Sequence, residues 1–250
     1  MKINILKTIT IVKRELHGYF TSPLAYVFII IFLMLCGFFT FKIGNLFAKN
    51  EATLSNTFFN FLPWLFLLLV PSIAMRLWSE EYKSGTIELL FTMPVSIAEA
   101  VIGKFLAAWV VLIVSLLLTF PTVYTVGKLG SPDYGVMMTG YIGAILLCGA
   151  YLALGSFTSS LTRNQVISFI ISLVLCLLLL IISLPVVTDF FITMAPVWLL
   201  DLMGIAGVFE HYDNLKRGVV DFRDIFYFVS VIFVALSATG ISLSSKRTAI

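Results

Sequence analysis

The stretch Arg76-Leu77-Trp78-Ser79-Glu80-Glu81-Tyr82-Lys83-Ser84-Gly85-Thr86-Ile87-Glu88-Leu89-Leu90-Phe91-Thr92-Met93-Pro94 is a charged island in an oily chain. The apolar run 57–77 precedes it and the run 96–126 follows it. Uncharged runs of about 18 residues or more are long enough to cross a bilayer, so the island must stand in water between two crossings. The chain has 250 residues, 60% hydrophobic and 12% charged, against about 25% charged in an ordinary soluble domain. Six such runs in so short a chain cannot all be covered by the remaining protein. The fold class is therefore all-α, a polytopic membrane protein. A β-barrel would show alternation over segments of about 10 residues, and these runs do not alternate.

Working outward, we read one domain over residues 1–250 with six spans, at 24–47, 57–77, 96–126, 135–161, 166–187 and 225–244. Residues 1–22 form an amphipathic interfacial helix: Ile5, Ile9, Val12, Leu16 and Tyr19 share one stripe, while Lys7, Thr10, Arg14 and His17 share the other. Pro63 and Pro71 in span two and Pro121 in span three are expected to kink their helices, and Pro185 stands near the end of span five. Ser96 and Glu99 fit a capping box at the start of span three. Span four carries Gly140-x-x-x-Ala144 and Gly149-x-x-x-Ala153, spacings that let helices approach closely. Residues 188–224 read as short interfacial or re-entrant helices followed by a polar loop.

Six spans put both termini on one side. Placing them in the cytoplasm gives the inner segments Lys2, Lys7, Lys13, Arg14, Arg76, Lys83, Lys104, Arg163, Lys246 and Arg247. The outer segments keep Lys42, Lys49, Lys128, Lys216, Arg217 and Arg223. The island and Arg163 are then cytoplasmic, and 188–224 is external.

The span centres hold no Asp, Glu, Lys, Arg or His, which argues against an ion-coupled carrier or proton relay. A passive channel stands with the ion-coupled carrier as a class that would work without an ATPase, and a membrane enzyme comes last, for lack of catalytic groups. No H-E-x-x-H, G-x-S-x-G or G-x-x-x-x-G-K-[ST] motif occurs, so the chain offers no catalytic residue, metal site or ATP site of those kinds. Ser156, Ser159 and Ser160 cluster in span four with no histidine in any span to activate them. His17 and His211 lie on opposite sides of the membrane. Cys36, Cys148 and Cys176 all fall in spans, as packing residues. The net charge of +3 is scattered and does not suggest nucleic acid.

Within the coupling region 78–95, two short helices are expected. Ser79 caps the first, with Glu80 and Glu81 at its positive N-terminus. Gly85 permits a sharp break. Thr86 caps the second, Glu88 sits in its first turn, Ile87, Leu89, Leu90 and Phe91 form an apolar face, and Pro94 ends it. On residue types alone, this segment is equally a solvated loop that reverses the chain or a helix that fits a groove on a soluble partner.

Here a resemblance adds weight. Glu80, Glu81, Gly85, Thr86 and Glu88 match the E-E-x-x-x-G-T-x-E pattern of ABC-2 type transporter permeases. The segment Leu89 to Ser96 resembles that family's leucine-rich stretch ending in Pro. Lys13, Arg14 and Glu15, followed by Leu16 and then Pro23, resemble its N-terminal connecting helix. The layout as a whole is similar to the small gliding-motility and nitrous-oxide-maturation type permeases. The resemblance implies a half-transporter in a bacterial inner membrane, with both termini cytoplasmic. A second permease copy, or a related permease, would complete the path through the lipid. Two cytoplasmic ABC ATPase subunits would bind ATP and Mg and dock on Glu80, Glu81, Gly85, Thr86 and Glu88. The implied function is export driven by those subunits, so the chain itself is not an enzyme and carries no cofactor. The alternative is a subunit that passes ATP-driven motion to an extracytoplasmic accessory protein of motility or assembly machinery and moves no solute.

Overall fold

A computed structural model of the chain describes residues 4–46, 53–92, 95–192 and 196–247, and these form helices and connections with no strand. The architecture is all-α and polytopic. Five helical stretches are long and apolar enough to cross a membrane: Ala25–Ile43, Phe59–Ser84, Ile97–Leu129, Tyr134–Leu161 and Phe222–Arg247. Gln165–Ile181 is apolar but has only 17 residues, so length and composition mark five crossings where six were expected.

In chain order the helices are α1 (Ile5–Thr21), α2 (Pro23–Phe38, continued by a π turn Phe39–Ile43), α3 (Leu62–Ala74, entered through a 3-10 turn Phe59–Phe61), α4 (Arg76–Ser84) and α5 (Thr86–Thr92). There follow α6 (Ile97–Leu117), α7 (Phe120–Leu129), α8 (Tyr134–Leu161), α9 (Gln165–Ile181), α10 (Pro185–Ile192), α11 (Val197–Ala206), α12 (Val208–Lys216) and α13 (Phe222–Arg247).

The prolines correct the expectation of kinks. Pro63 and Pro121 stand in the first turns of α3 and α7, and Pro185 opens α10. A first-turn residue has no helical acceptor for its N–H, so proline starts a helix there at no loss. The apolar run over 96–126 is accordingly two helices broken at Leu118 and Thr119. Among the described residues, only Pro71 lies inside a helix. It removes one rung of the hydrogen-bond ladder, and the chain breaks at Met75, one turn later.

The central helix is α8, which packs against α3, α6, α9, α12 and α13. Ala144, Leu147, Tyr151 and Ala153 on it are fully buried. Its glycines serve contacts within the chain: a Cβ on Gly140 would meet the Phe59 ring at 2.7 Å, and one on Gly155 would collide with the Ala74 Cβ.

Two ends of the bundle are defined by their bonds. At one end, the Asn4 N–H donates to Glu99 Oε1 (2.7 Å) and Lys246 Nζ donates to the Ser160 carbonyl (2.8 Å); Ser96 and Ile97 line one groove with Ser244 and Arg247, so the start of α1 and the finish of α13 lie at the same end. The capping box is complete, with Ser96 N donating to Glu99 Oε2 and Glu99 N to Ser96 Oγ. At the other end, Tyr212 OH donates to the Phe59 carbonyl (2.9 Å) and Lys216 Nζ to Asn60 Oδ1 (3.1 Å). His211 Nδ1 lies 2.7 Å from Asp224 Oδ1. The short α9 joins the two ends. It starts beside the close of α8, and Ser183, just past it, accepts from Phe209 N of α12 (3.1 Å). Because α12 rests on the opening turns of α8, where Gly143 faces Leu215, α9 and its turn run between the same two levels as α8.

Two further expectations change. Residues 208–216, read as polar loop, form α12, because Val208, Tyr212 and Leu215 at spacings of four and three bury one face. In α1, the side packed on the protein is Thr8, Ile11, Glu15 and Tyr19 rather than the whole apolar stripe. Ile5, Leu6, Ile9 and Phe20 are exposed on a second face, and Lys7, Thr10, Arg14 and His17 on a third. The helix thus has one face to the bundle, one apolar face open and one basic face. That is the pattern of a helix lying in the membrane interface. Gly103 of α6 admits it, since a Cβ there would strike Ile11 Cγ2 at 2.7 Å. Lys2, Lys49, part of the polar loop after span one, and Pro94 as a helix stop lie outside the described residues.

Candidate functional site

At the end that holds the start of α1 and the finish of α13, α4, Gly85 and α5 form a hairpin. Gly85 adopts φ +73°, in the left-handed region that only glycine enters freely, and so ends α4 where the sequence placed a break. The Glu88 N–H donates to the Gly85 carbonyl, and Glu88 sits in the first turn of α5. The two cap assignments are corrected. Ser79 lies within α4, buried, with its hydroxyl on the Met75 carbonyl one turn back; α4 starts at Arg76 directly after α3, leaving no free N-terminus at Ser79. Thr86 is the first residue of α5, and its hydroxyl lies 2.9 Å from that of Ser84, bridging the turn.

The hairpin has two sides. Glu80, Lys83, Ser84, Gly85, Thr86 and Glu88 are exposed. Leu77, Trp78, Ser79 and Ile87 are buried. The buried side is held by three other helices, α6, α8 and α13. Ser159 of α8 repairs the break after α3: its Oγ accepts from the N–H groups of Trp78 and Ser79 (3.1 Å each) and donates to the Met75 carbonyl (2.9 Å). Trp78 Nε1 donates to Ser156 Oγ (3.1 Å). Lys246 of α13 holds the last carbonyls of α8 and lies 4.4 Å over the Tyr82 ring. Of the serine cluster that lacked a catalytic partner in sequence, Ser156 and Ser159 therefore clamp the hairpin, while the Ser160 hydroxyl donates to the Phe157 carbonyl within α8.

The electrostatic centre is Lys104 of α6, about 10 Å along from its first residue. Its ammonium is 2.7 Å from Glu81 Oε1 and 3.4 Å from Glu15 Oε2, with the side chain only 6% exposed, and it lies 5.4 Å over the Trp78 ring. Arg14 Nη2 holds the other Glu15 oxygen at 2.8 Å. One buried cation thus joins α1, α4 and α6. Burial works to raise the Glu15 carboxyl, but Lys104 and then Arg14 outweigh it, holding the group below the usual carboxylate range. Burial, reinforced by the Glu15 and Glu80 carboxylates, pushes the Tyr19 phenol above its ordinary value.

The structure brings Glu15 and Glu81 together and leaves Glu80, Gly85, Thr86 and Glu88 on the outside. Arg14 joins the cluster through Glu15, while Lys13 stays on the exposed side of α1. Lys104 was counted in sequence only as an inner positive charge. The available signal was its place eight residues into an otherwise apolar run, where a charge is kept only if it is paired. The arrangement is a charge-balanced joint that carries a hairpin with an exposed outer side.

The sequence matches the family described as ABC-2 family transporter protein over residues 9–238. No curated protein matches it.

Proposed function

Since the chain belongs to the ABC-2 family transporter proteins and is a membrane-spanning permease component of an ABC transporter, we propose that the α4–α5 hairpin is its docking and coupling element for separate ATPase subunits. One observation carries the proposal. The hairpin's exposed side offers Glu80, Lys83, Thr86 and Glu88 to a partner, while its buried side is fixed through Lys104, Ser156 and Ser159 to α1, α6 and α8. A push on the outer side is transmitted through these bonds to the three helices.

The end bearing the hairpin faces the cytoplasm in this reading. It holds Lys7, Lys13, Arg14, Arg76, Lys83, Lys104, Arg163, Lys246 and Arg247, the richer share of positive charge. In this reading both described chain ends share that side, and the short apolar α9 counts as the sixth crossing. Two permease copies, or one with a related permease, pair around a path, and two ATPase subunits that bind ATP and Mg dock below in a bacterial inner membrane. The transport direction is export, in keeping with the resemblance of residues 80–88 to ABC-2 permeases.

The test is isolation from native membranes with and without Glu88→Arg. The wild-type chain is expected to carry an ABC ATPase with it, and the variant to lose that subunit while keeping its melting temperature. Retention of the subunit by the variant would remove the hairpin from the docking surface.

A further inference from the structure

Between α1 and α4 lies a cleft of about 320 Å³, lined by Glu15, Gly18, Tyr19, Ser22, Arg76, Leu77, Glu80, Glu81 and Lys104. Glu15 and one oxygen of Glu81 are satisfied by Lys104. What remains open is of mixed sign. Arg76 finds no ion pair among the described residues, and its Nε is buried without a hydrogen-bond partner. Glu81 Oε2 is buried and equally without a partner. Glu80 is exposed on the lining and makes no side-chain hydrogen bond or ion pair among the described residues. Buried groups of this kind are normally satisfied, and each one left open is costly.

A lone anion would answer Arg76 but meet Glu80 and Glu81. A lone cation would answer the carboxylates but meet Arg76. A ligand that answers both carries an anion and a hydrogen-bond-donating cation a few atoms apart. The depth of the cleft narrows the source. The exposed apolar face of α1 (Ile5, Ile9, Phe20) places that helix at the boundary of hydrocarbon and head groups. At the corner into α2, Phe20 and Tyr26 form an exposed edge-to-face aromatic pair at 6.2 Å, beside Ser22 of the cleft. Exposed aromatic rings of this kind mark the head-group level.

We propose that this cleft binds the head group of an ethanolamine phospholipid, its phosphate on Arg76 and its ammonium on Glu80 and Glu81 Oε2. The lipid then wedges between the interfacial helix and the coupling hairpin, filling the gap that Lys104 alone bridges. Ammonium N–H donors are essential to the fit, because a trimethylated head group has the same charge but nothing to donate.

The experiment uses the complex as purified, placed in nanodiscs with equal fractions of phosphatidylethanolamine, its N-methyl and N,N-dimethyl forms, phosphatidylcholine and phosphatidylglycerol. Native mass spectrometry reads the retained lipid. Phosphatidylethanolamine is expected to be retained, falling stepwise with each methyl. Arg76→Gln and Glu80→Gln should each lower retention about tenfold, the loss of one charge-assisted contact. Gly18→Leu should act likewise by filling the cleft, since a Cβ there meets nothing within 4 Å and the fold has room for it. Equal retention of phosphatidylcholine, unchanged retention in Arg76→Gln, or a photo-crosslinker at Gly18 that captures an ATPase side chain instead of lipid would each overturn the assignment.

Discussion

Lys104→Met removes the single cation that ties three helices together. Glu15 keeps Arg14, but Glu81 loses its only ion-pair partner among the described residues while remaining mostly buried. Removing one partner of a buried pair costs about 3–5 kcal/mol because a charge is stranded. Both carboxylates retain some water, at 21% and 17% side-chain exposure, so the low end applies, about 3 kcal/mol. At the 2–4 °C per kcal/mol of a chain this size, the melting temperature should fall by roughly 6–12 °C. Lys104→Met combined with Glu81→Gln leaves no stranded charge at that position and should regain most of that loss. Coupling should separate from stability. The assay is the rate at which a thiol reagent labels a cysteine placed at Tyr134, on the far end of the bundle, with and without ATP. In the wild-type complex ATP should change this rate. In both the single and double variants, ATP hydrolysis should continue and the change should vanish. A single variant that melts and responds like wild type would refute the reasoning, as would a double variant that recovers the ATP response along with its stability.

Glu15 is held ionised below the usual carboxylate range, so the folded state favours the charged form. The resulting stability is present above the ordinary value of 4.5 and is lost as pH falls through the lower folded value. The melting difference between wild type and Glu15→Gln should be flat near neutrality and close in acid. Gly85→Ala places a side chain at φ +73° and should cost about 1 kcal/mol. Gly85→Pro cannot adopt that angle at all and should abolish ATPase recruitment with little effect on the melting of the spans, measured by copurification and calorimetry. Gly155→Leu drives a Cβ into that of Ala74 and should destabilise the α3–α8 contact by about 2 kcal/mol, read as loss of monodisperse protein after extraction.

What sequence made legible follows from which forces act locally. Hydropathy over about 20 residues marks spans whatever their neighbours do, and Ser96 with Glu99 specifies its own cap within one turn. Gly85 announced a left-handed residue by its type. The failures are tertiary. Pro63, Pro121 and Pro185 look alike whether they kink or start a helix, and the outcome depends on where the preceding turn ends. Ser79 resembles an N-cap until α3 is seen to run almost into α4. The polar composition of 208–216 hid a buried face, because Lys216 and Asp213 neutralise each other at 2.6 Å. The joint around Lys104 draws on residues 15, 81 and 104, and no local pattern relates them. Ser156 and Ser159 could be read as packing or chemistry until Trp78 and the broken backbone at Met75 were set against them.

The central claim is that the α4–α5 hairpin is where a cytoplasmic ATPase grips this permease, and a photo-crosslinker placed at exposed Thr86 in native membranes tests it most directly. The account predicts a crosslink to an ABC ATPase subunit, formed when the probe is activated in inverted vesicles and strengthened by ATP. A probe at Thr86 that reaches only lipid, or only proteins on the opposite face of the membrane, would contradict it.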